Sequence, residues 1–341
     1  MSVLMAEGWK TYADRTEIQF GYPLHASVGS NTAFADVSGR RTCDLAGGRV
    51  SRGVTASRRV GAVFIVDLTA GSIGTNMTLF SFGLNPVNIV SSAYTFNSNE
   101  RFQVEAFGPN IRVYRRAFNP DGTTASTVQT VATVAHGMTA GTSYRIEILA
   151  DVTSETGRVE VLINGVSVVA SDFSRTIGTY ACDASFGIVT LYCQNSSGCR
   201  GRLSNVVVYS DDAVTSWPVG PLNIGYLPAQ PNGGETMNFP PLASDPEIPV
   251  TDESGKTWQL GDISGVSAAS IKAVIGSVRM SSPDAVVPAS ADVVLRNGSA
   301  VLASSTQIVQ PGTPVYDRHT IIPVTDPAVL NAMTMTIRKT P

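Results

Sequence analysis

The stretch from Tyr144 to Ser171, YRIEILADVTSETGRVEVLINGVSVVAS, decides the fold. Tyr144, Ile146 and Ile148 alternate with Arg145 and Glu147, the two-residue period of a strand with one buried face. A Ser-Glu-Thr-Gly turn separates this run from Val159, Val161 and Ile163, which lead into Asn164-Gly165. That dipeptide best tolerates the positive φ that a type I′ turn needs at both central positions, so the stretch predicts a three-stranded antiparallel meander.

The same pattern spreads in both directions. In GAVFIVDLT (61–69), Phe64, Val66 and Leu68 alternate with Ile65 and Asp67, and NMTLFSFG (76–83) reads as another short strand. In ERFQVEAFGPNIRVYRRAF (100–118), Phe102, Val104 and Ala106 share a face, and Gly108-Pro109-Asn110 turns the chain back toward Ile111 and Val113. SFGIVTLYC (185–193) and RLSNVVVYS (202–210) add two further strands. No stretch of ten residues between 60 and 210 has helical period, so the expectation is an all-β, antiparallel jelly-roll sandwich.

Beyond Tyr209 the composition changes. Pro218, Pro221, Pro228, Pro231, Pro240, Pro241, Pro246 and Pro249 forbid a central strand or a helix. Trp217, Leu222, Ile224, Tyr226, Leu227 and Phe239 predict that this segment packs on a surface. The expected domains are a sandwich over 1–212, a packed Pro-rich junction over 213–248 and a small C-terminal β-sandwich-like domain over 249–341. In the last, KTWQLGD, SIKAVIGSVRMS and ADVVLRNGSAVLASS read as strands, the third folded at Asn297-Gly298 into a second type I′ hairpin. Asp326 and Pro327 suit the N-cap and first position of one helical turn, and TMTIRK closes the chain as a strand.

Composition narrows the function classes. The chain has 341 residues, more than one typical domain, with 15% charged residues, 31 Gly and 19 Pro, a turn-rich β composition. A net charge of −3 without clustered Lys and Arg argues against nucleic acid as a partner. The opening MSVLMAEGWKTYADRTE has no apolar signal core, and no apolar run of about 18 residues occurs, so a soluble chain without membrane insertion is expected. Of the four cysteines, Cys43, Cys182, Cys193 and Cys199, the last two bracket QNSSG, a loop short enough for a disulfide if the α-carbons come within about 7 Å. In a reducing compartment free thiols are the default.

Candidate chemistry is sparse. Asp211-Asp212 follows a strand, and calcium needs six to eight oxygens, whereas adjacent strand-end side chains point to opposite sides. The pair reads as a solvated turn. Glycoside hydrolysis needs two carboxylates about 5 to 9.5 Å apart. Glu147, Asp151 and Glu155 do not have that spacing, and Glu105, Glu147 and Glu160 alternate with core residues, so they are expected on the solvent side. His25, His136 and His319 lie far apart with no metal-ligand spacing, and Asp317 stands two residues before His319 without a nucleophile motif, as in a surface salt-bridge cluster. No catalytic residue, cofactor or metal ligand is assigned, and the chain is expected not to be an enzyme. Tyr94, Phe107, Tyr114 and Phe118, near hairpin ends, are the candidates for a sugar-stacking platform.

Several segments carry a family likeness. Met1-Ser2-Val3-Leu4-Met5-Ala6-Glu7-Gly8-Trp9 with Tyr12, the core set Tyr144, Glu147, Gly157, Val159, Val161, Asn164 and Gly165, the segment Val219 to Pro228, and Trp258-Gln259-Leu260 follow one another in an order that resembles the concanavalin-like (laminin-G-like) β-sandwich proteins of tailed-bacteriophage virions. The resemblance covers nearly the whole chain. It implies a structural virion component, of the tail, a fibre or the tail tip, assembled in the bacterial host cytoplasm, contacting other virion subunits and the host surface. A capsid decoration or head-fibre protein, a carbohydrate-binding adhesin and a glycan depolymerase are the alternatives it leaves. A homotrimer is implied by the resemblance alone. Where that family often carries an acidic pair this chain has Ser204-Asn205, which removes the ligands of any ion site there.

Overall fold

In the computed structural model of the chain, residues 2–10, 12, 15–18, 22, 25–27, 32–45, 48–70, 77–84, 100–117, 127–174, 176–177, 180–181, 185–192, 200–210, 217–222, 224, 229–231, 256–260, 273–282, 288–311, 315–323 and 332–340 are described. The chain folds as two compact units, Met1–Trp9 with Tyr22–Ile224 and Lys10–Gly21 with Gly225–Pro341. Among the described residues the regular structure is strand apart from a 3-10 turn at Arg15–Glu17, and no helix is long and apolar enough to cross a membrane.

The first unit runs through β1 (Ser2–Glu7), β2 (His25–Ser27), β3 (Ala33–Val37), β4 (Arg40–Asp44), β5 (Arg49–Ser57), β6 (Arg59–Ala70), β7 (Met77–Leu84), β8 (Glu100–Phe107) and β9 (Asn110–Ala117). It continues with β10 (Thr127–Ala135), β11 (Ser143–Asp151), β12 (Thr156–Ile163), β13 (Val166–Ser174), β14 (Thr176–Ile177), β15 (Tyr180–Ala181), β16 (Phe186–Tyr192) and β17 (Arg200–Ser210). One sheet has the order β13-β12-β11-β6-β17-β4-β3, with β1 also on β17; the other has β10-β9-β8-β7-β16-β5-β2. All their pairings are antiparallel, which makes the first unit a concanavalin-like jelly-roll sandwich.

The meander is β11-β12-β13, and Asn164 and Gly165 have φ of 51° and 83°, the mirror-image turn expected of them. Alternation then sorts the side chains. Phe64, Phe80, Phe82, Phe102, Phe173 and Phe186 point inward and form a run of rings with successive centroids 4.9 to 5.6 Å apart that joins the two sheets. Glu7 is buried where the opening segment turns: its Oε1 accepts the Trp9 N–H (2.7 Å) and its Oε2 the Tyr22 hydroxyl (3.0 Å). The outermost strands β10 and β13 each carry a bulge, at Val131 and Val168, which twists an edge that would otherwise invite strand addition.

The second unit contains β18 (Ala229–Pro231), β19 (Lys256–Leu260), β20 (Ala273–Met280), β21 (Ala289–Asn297), β22 (Ala300–Val309), β23 (Val315–Pro323) and β24 (Met333–Thr340). A five-stranded sheet, β18-β19-β24-β21-β22, accompanies the pair β20-β23. Trp258, Met280, Val293, Leu295, Val309, Met333, Met335 and Ile337 form its core. The second hairpin forms, but one residue later than expected: Asn297 pairs with Ala300, and in the turn only Gly298 has positive φ (56°). Asn297 keeps its strand conformation because a glycine at the first central position of the tighter turn meets the geometry alone. The helical turn expected at Asp326 and Pro327 lies outside the described residues.

Candidate functional site

The sandwich has two outer faces, and each holds acidic residues that the sequence placed in solvent. On the first sheet Glu147 faces outward but is fully buried. Its Oε1 takes the Arg145 Nε (2.9 Å) and its Oε2 accepts the Gly220 N–H (3.3 Å). Nearby, Trp217 donates its indole N–H to Glu160 Oε2 (2.6 Å) and packs on the Tyr209 ring, centroids 6.3 Å apart. Residues 217–220 therefore cover this face, and a strand's alternation cannot reveal what lies on top of it. Asp151 shares Glu147's face but sits four residues along β11, about 13 Å away by strand rise, and Glu155 is in the exposed turn. These carboxylates are not a hydrolytic pair.

On the second sheet, Glu105 also faces outward and is buried, because Arg112 from the next strand pairs with it through Nε and Nη2. The guanidinium lies 3.8 Å from the Phe107 ring centroid and 4.3 Å from that of Tyr114. Residues i and i+2 on β8 and β9 bring these four side chains to one face, and the register Glu105↔Arg112 sets them opposite each other. Phe107 keeps 39% of its surface exposed, and Gln103, Thr130 and Thr133 share this face. The result is an aromatic shelf stiffened by a neutralised cation and flanked by hydrogen-bonding groups. The sequence pointed to Phe107 and Tyr114 as separate hairpin-end aromatics; the structure brings them together around Arg112, which the sequence reading did not single out.

The turn beneath the shelf is held by His136. Its backbone N–H donates to Pro109 O (2.9 Å), its Nδ1 accepts the Met138 N–H (2.7 Å), and its Nε2 lies 2.9 Å from Gly108 O. Burial, the largest influence, pushes its pKa below the ordinary histidine value against the pull of the Gly108 carbonyl. The other histidines are elsewhere: His25 in β2, with its backbone paired to Ser51, and His319 with Asp317 in β23 of the second unit. Ser204 and Asn205 are buried in β17; the Ser204 hydroxyl accepts from Arg40 Nη1 (2.9 Å), and Arg40 Nη2 reaches Asp67 (3.3 Å), so a guanidinium stands in this part of the sheet. Among the described residues no three His, Cys, Asp or Glu side chains gather as metal ligands. Asp211-Asp212, Tyr94, Phe118, Cys193 and Cys199 lie outside the described residues, and Cys43 is buried in β4.

No protein-family model and no curated protein matches the chain. Among solved structures it is similar to a sialidase at 12% identity and TM-score 0.40, over 62% of this chain and only 19% of that one. An endo-β-1,4-glucuronan lyase from the fungus Trichoderma reesei matches at 12% identity and TM-score 0.38, over 57% of this chain and 92% of the lyase. A carbohydrate esterase from the Shiga toxin-encoding bacteriophage phi24B matches at 11% and 0.34, over 55% and 90%. The similar structures are carbohydrate-binding and carbohydrate-active β-sandwich proteins, and no virion-protein family is among the matches described. The expectation that the chain is not an enzyme is corrected by this company: a lyase and an esterase share the sandwich. The carboxylate test behind that expectation addressed one reaction class, hydrolysis by an acid pair, and leaves elimination and ester cleavage untouched.

Proposed function

We propose that the chain is a glycan-binding surface protein of a tailed-phage particle, and that the Phe107-Arg112-Tyr114 shelf is its glycan contact. The observation that carries the glycan reading is the exposed Phe107 ring backed by the Arg112-Glu105 pair. A sugar ring offers an apolar C–H face that stacks on such a ring, and its hydroxyls meet flanking polar groups, here Gln103, Thr130 and Thr133. Because Glu105 already satisfies Arg112, the shelf is pre-formed and binding need not order it. Placement on a virion, contacts with other virion subunits and trimer formation are supported by the sequence resemblance of Met1–Trp9, Tyr144–Gly165 and Val219–Pro228.

An array of bacterial lipopolysaccharide O-chains and capsular polysaccharides, probed with the intact chain, tests the reading. Phe107→Ala is expected to lower retention at least tenfold, about 1.4 kcal/mol, with the melting temperature unchanged, since the ring is largely outside the core. Equal retention by both proteins, or none by either, removes the shelf as a glycan site. Antibody labelling of phage particles in the electron microscope tests the placement.

A further inference from the structure

We infer that Lys10–Gly21 is a strap that completes the second unit, so that residues 225–341 alone do not make a whole domain. The chain leaves the first unit at Trp9, returns at Tyr22 and leaves again at Ile224. Three covalent crossings therefore join the units, where an ordinary linker would give one.

The strap is fixed at both ends. Within the first unit the Glu7 carboxylate takes the Trp9 N–H on one oxygen (2.7 Å) and the Tyr22 hydroxyl on the other (3.0 Å), and the Trp9 and Tyr22 rings stack with centroids 6.2 Å apart. The two residues that bracket the strap are thus stapled together. With those ends held, seating the strap orders only its own residues and closes only its own short loop.

Its middle belongs to the second unit. The 3-10 turn Arg15–Glu17 brings Glu17 Oε1 within 3.1 Å of Arg279 Nε on β20, a residue 262 positions away that precedes the core residue Met280. Arg279 is partly in solvent, so this ion pair sets the position of the turn more than it stabilises it. The attachment comes from the side chains on either side of the turn: Tyr12 and Ile18 are each 0% exposed. A segment resting on a finished surface would keep part of two such side chains in water. Burying both makes the strap part of the packed interior, and its loss removes apolar burial that the rest of the unit cannot replace.

Native-state hydrogen exchange of the intact chain in a urea series tests this without any variant. The Ile18 amide is expected to exchange with the same urea dependence as the amides of β21 and β24, because it is released only when the second unit opens. Exchange at the rate of an unstructured segment, or in step with β6 and β11 of the first unit, overturns the inference. Ile18→Ala is expected to speed exchange in β21 and β24 about a hundredfold and to leave β6 and β11 unchanged. Unchanged rates in β21 and β24, or equal acceleration in both units, overturn it as well. Should that variant fail to fold, Ile18→Val removes a single methylene and is expected to give the same pattern at about fivefold.

Discussion

Replacing Arg115 with alanine is expected to lower the unfolding free energy of the first unit by about 4 kcal/mol, the cost of a large side chain deleted from a packed interior. Arg115 is a charged residue on an inward face: it is 1% exposed and sits on β9 at the end of the run of phenylalanines. Its Nε donates to Gln129 Oε1 on β10 (2.7 Å), its Nη1 donates to the Ser174 carbonyl on β13 of the opposite sheet, and the guanidinium lies 5.2 Å from the Phe173 ring centroid. One side chain thus closes the sandwich where its two sheets part. Arg115→Met fills most of the space but leaves Gln129 and Ser174 without their donor, so about 1 to 3 kcal/mol remains lost. In a Trp258→Phe background the fluorescence of Trp9 and Trp217 reports the first unit alone, and urea unfolding gives both values. Equal stability of the alanine and methionine variants would show that the lost hydrogen bonds, not packing, carry the effect.

The sequence made the meander legible because nothing contradicts its pattern: period two, a polar turn, then Asn-Gly. It was silent on β1 and on β2 to β5, although these supply one edge strand of each sheet, β3 and β2. There the buried faces are not apolar. Arg41, Thr42 and Asp44 on β4 and Ser51 and Arg52 on β5 are buried, with the Arg41 guanidinium 4.4 Å from the Phe34 ring centroid and the Ser51 and Thr190 hydroxyls 2.7 Å apart. A hydrophobicity period cannot register strands whose interior side chains are polar and satisfied in pairs. Arg115 is the same case in a strand that was recognised: an inward arginine reads as a fault in the alternation until its partners, 14 and 59 residues away, are known.

The shelf shows a second limit. Phe107 and Tyr114 were visible as aromatics near a hairpin, but their common function depends on register. The two-residue turn at Gly108-Pro109 places Glu105 opposite Arg112, and a shift of one residue would send Arg112 into the core. His136 could not be linked to that turn at all, since 28 residues separate it from Gly108. Its reading as a lone histidine without metal spacing was sound for ligation and uninformative about hydrogen bonding.

Gly61→Ala is expected to destabilise the first unit by about 2 to 3 kcal/mol even though it adds one methyl to a strand. Gly61 lies between Leu149 on β11 and Tyr209 on β17, and a Cβ there would stand 2.1 Å from Tyr209 Cζ and 2.3 Å from its hydroxyl oxygen. The ring lies flat across the gap that the glycine leaves, and Trp217 rests on the ring and reaches Glu160. The missing side chain is therefore what lets the proline-rich segment settle on the sheet and keep Glu147 dry. Pushing Tyr209 aside unseats Trp217 as well, so the variant's tryptophan emission should shift to the red, and Gly61→Ala and Trp217→Ala together should cost less than the sum of their separate losses. The decisive comparison is made in a Tyr209→Ala background. With the ring gone, alanine at 61 meets no obstacle and restores ordinary strand propensity, so the same substitution should now stabilise by about 0.5 to 1 kcal/mol relative to glycine. A loss of similar size in both backgrounds would mean that position 61 demands glycine for its backbone rather than for the ring.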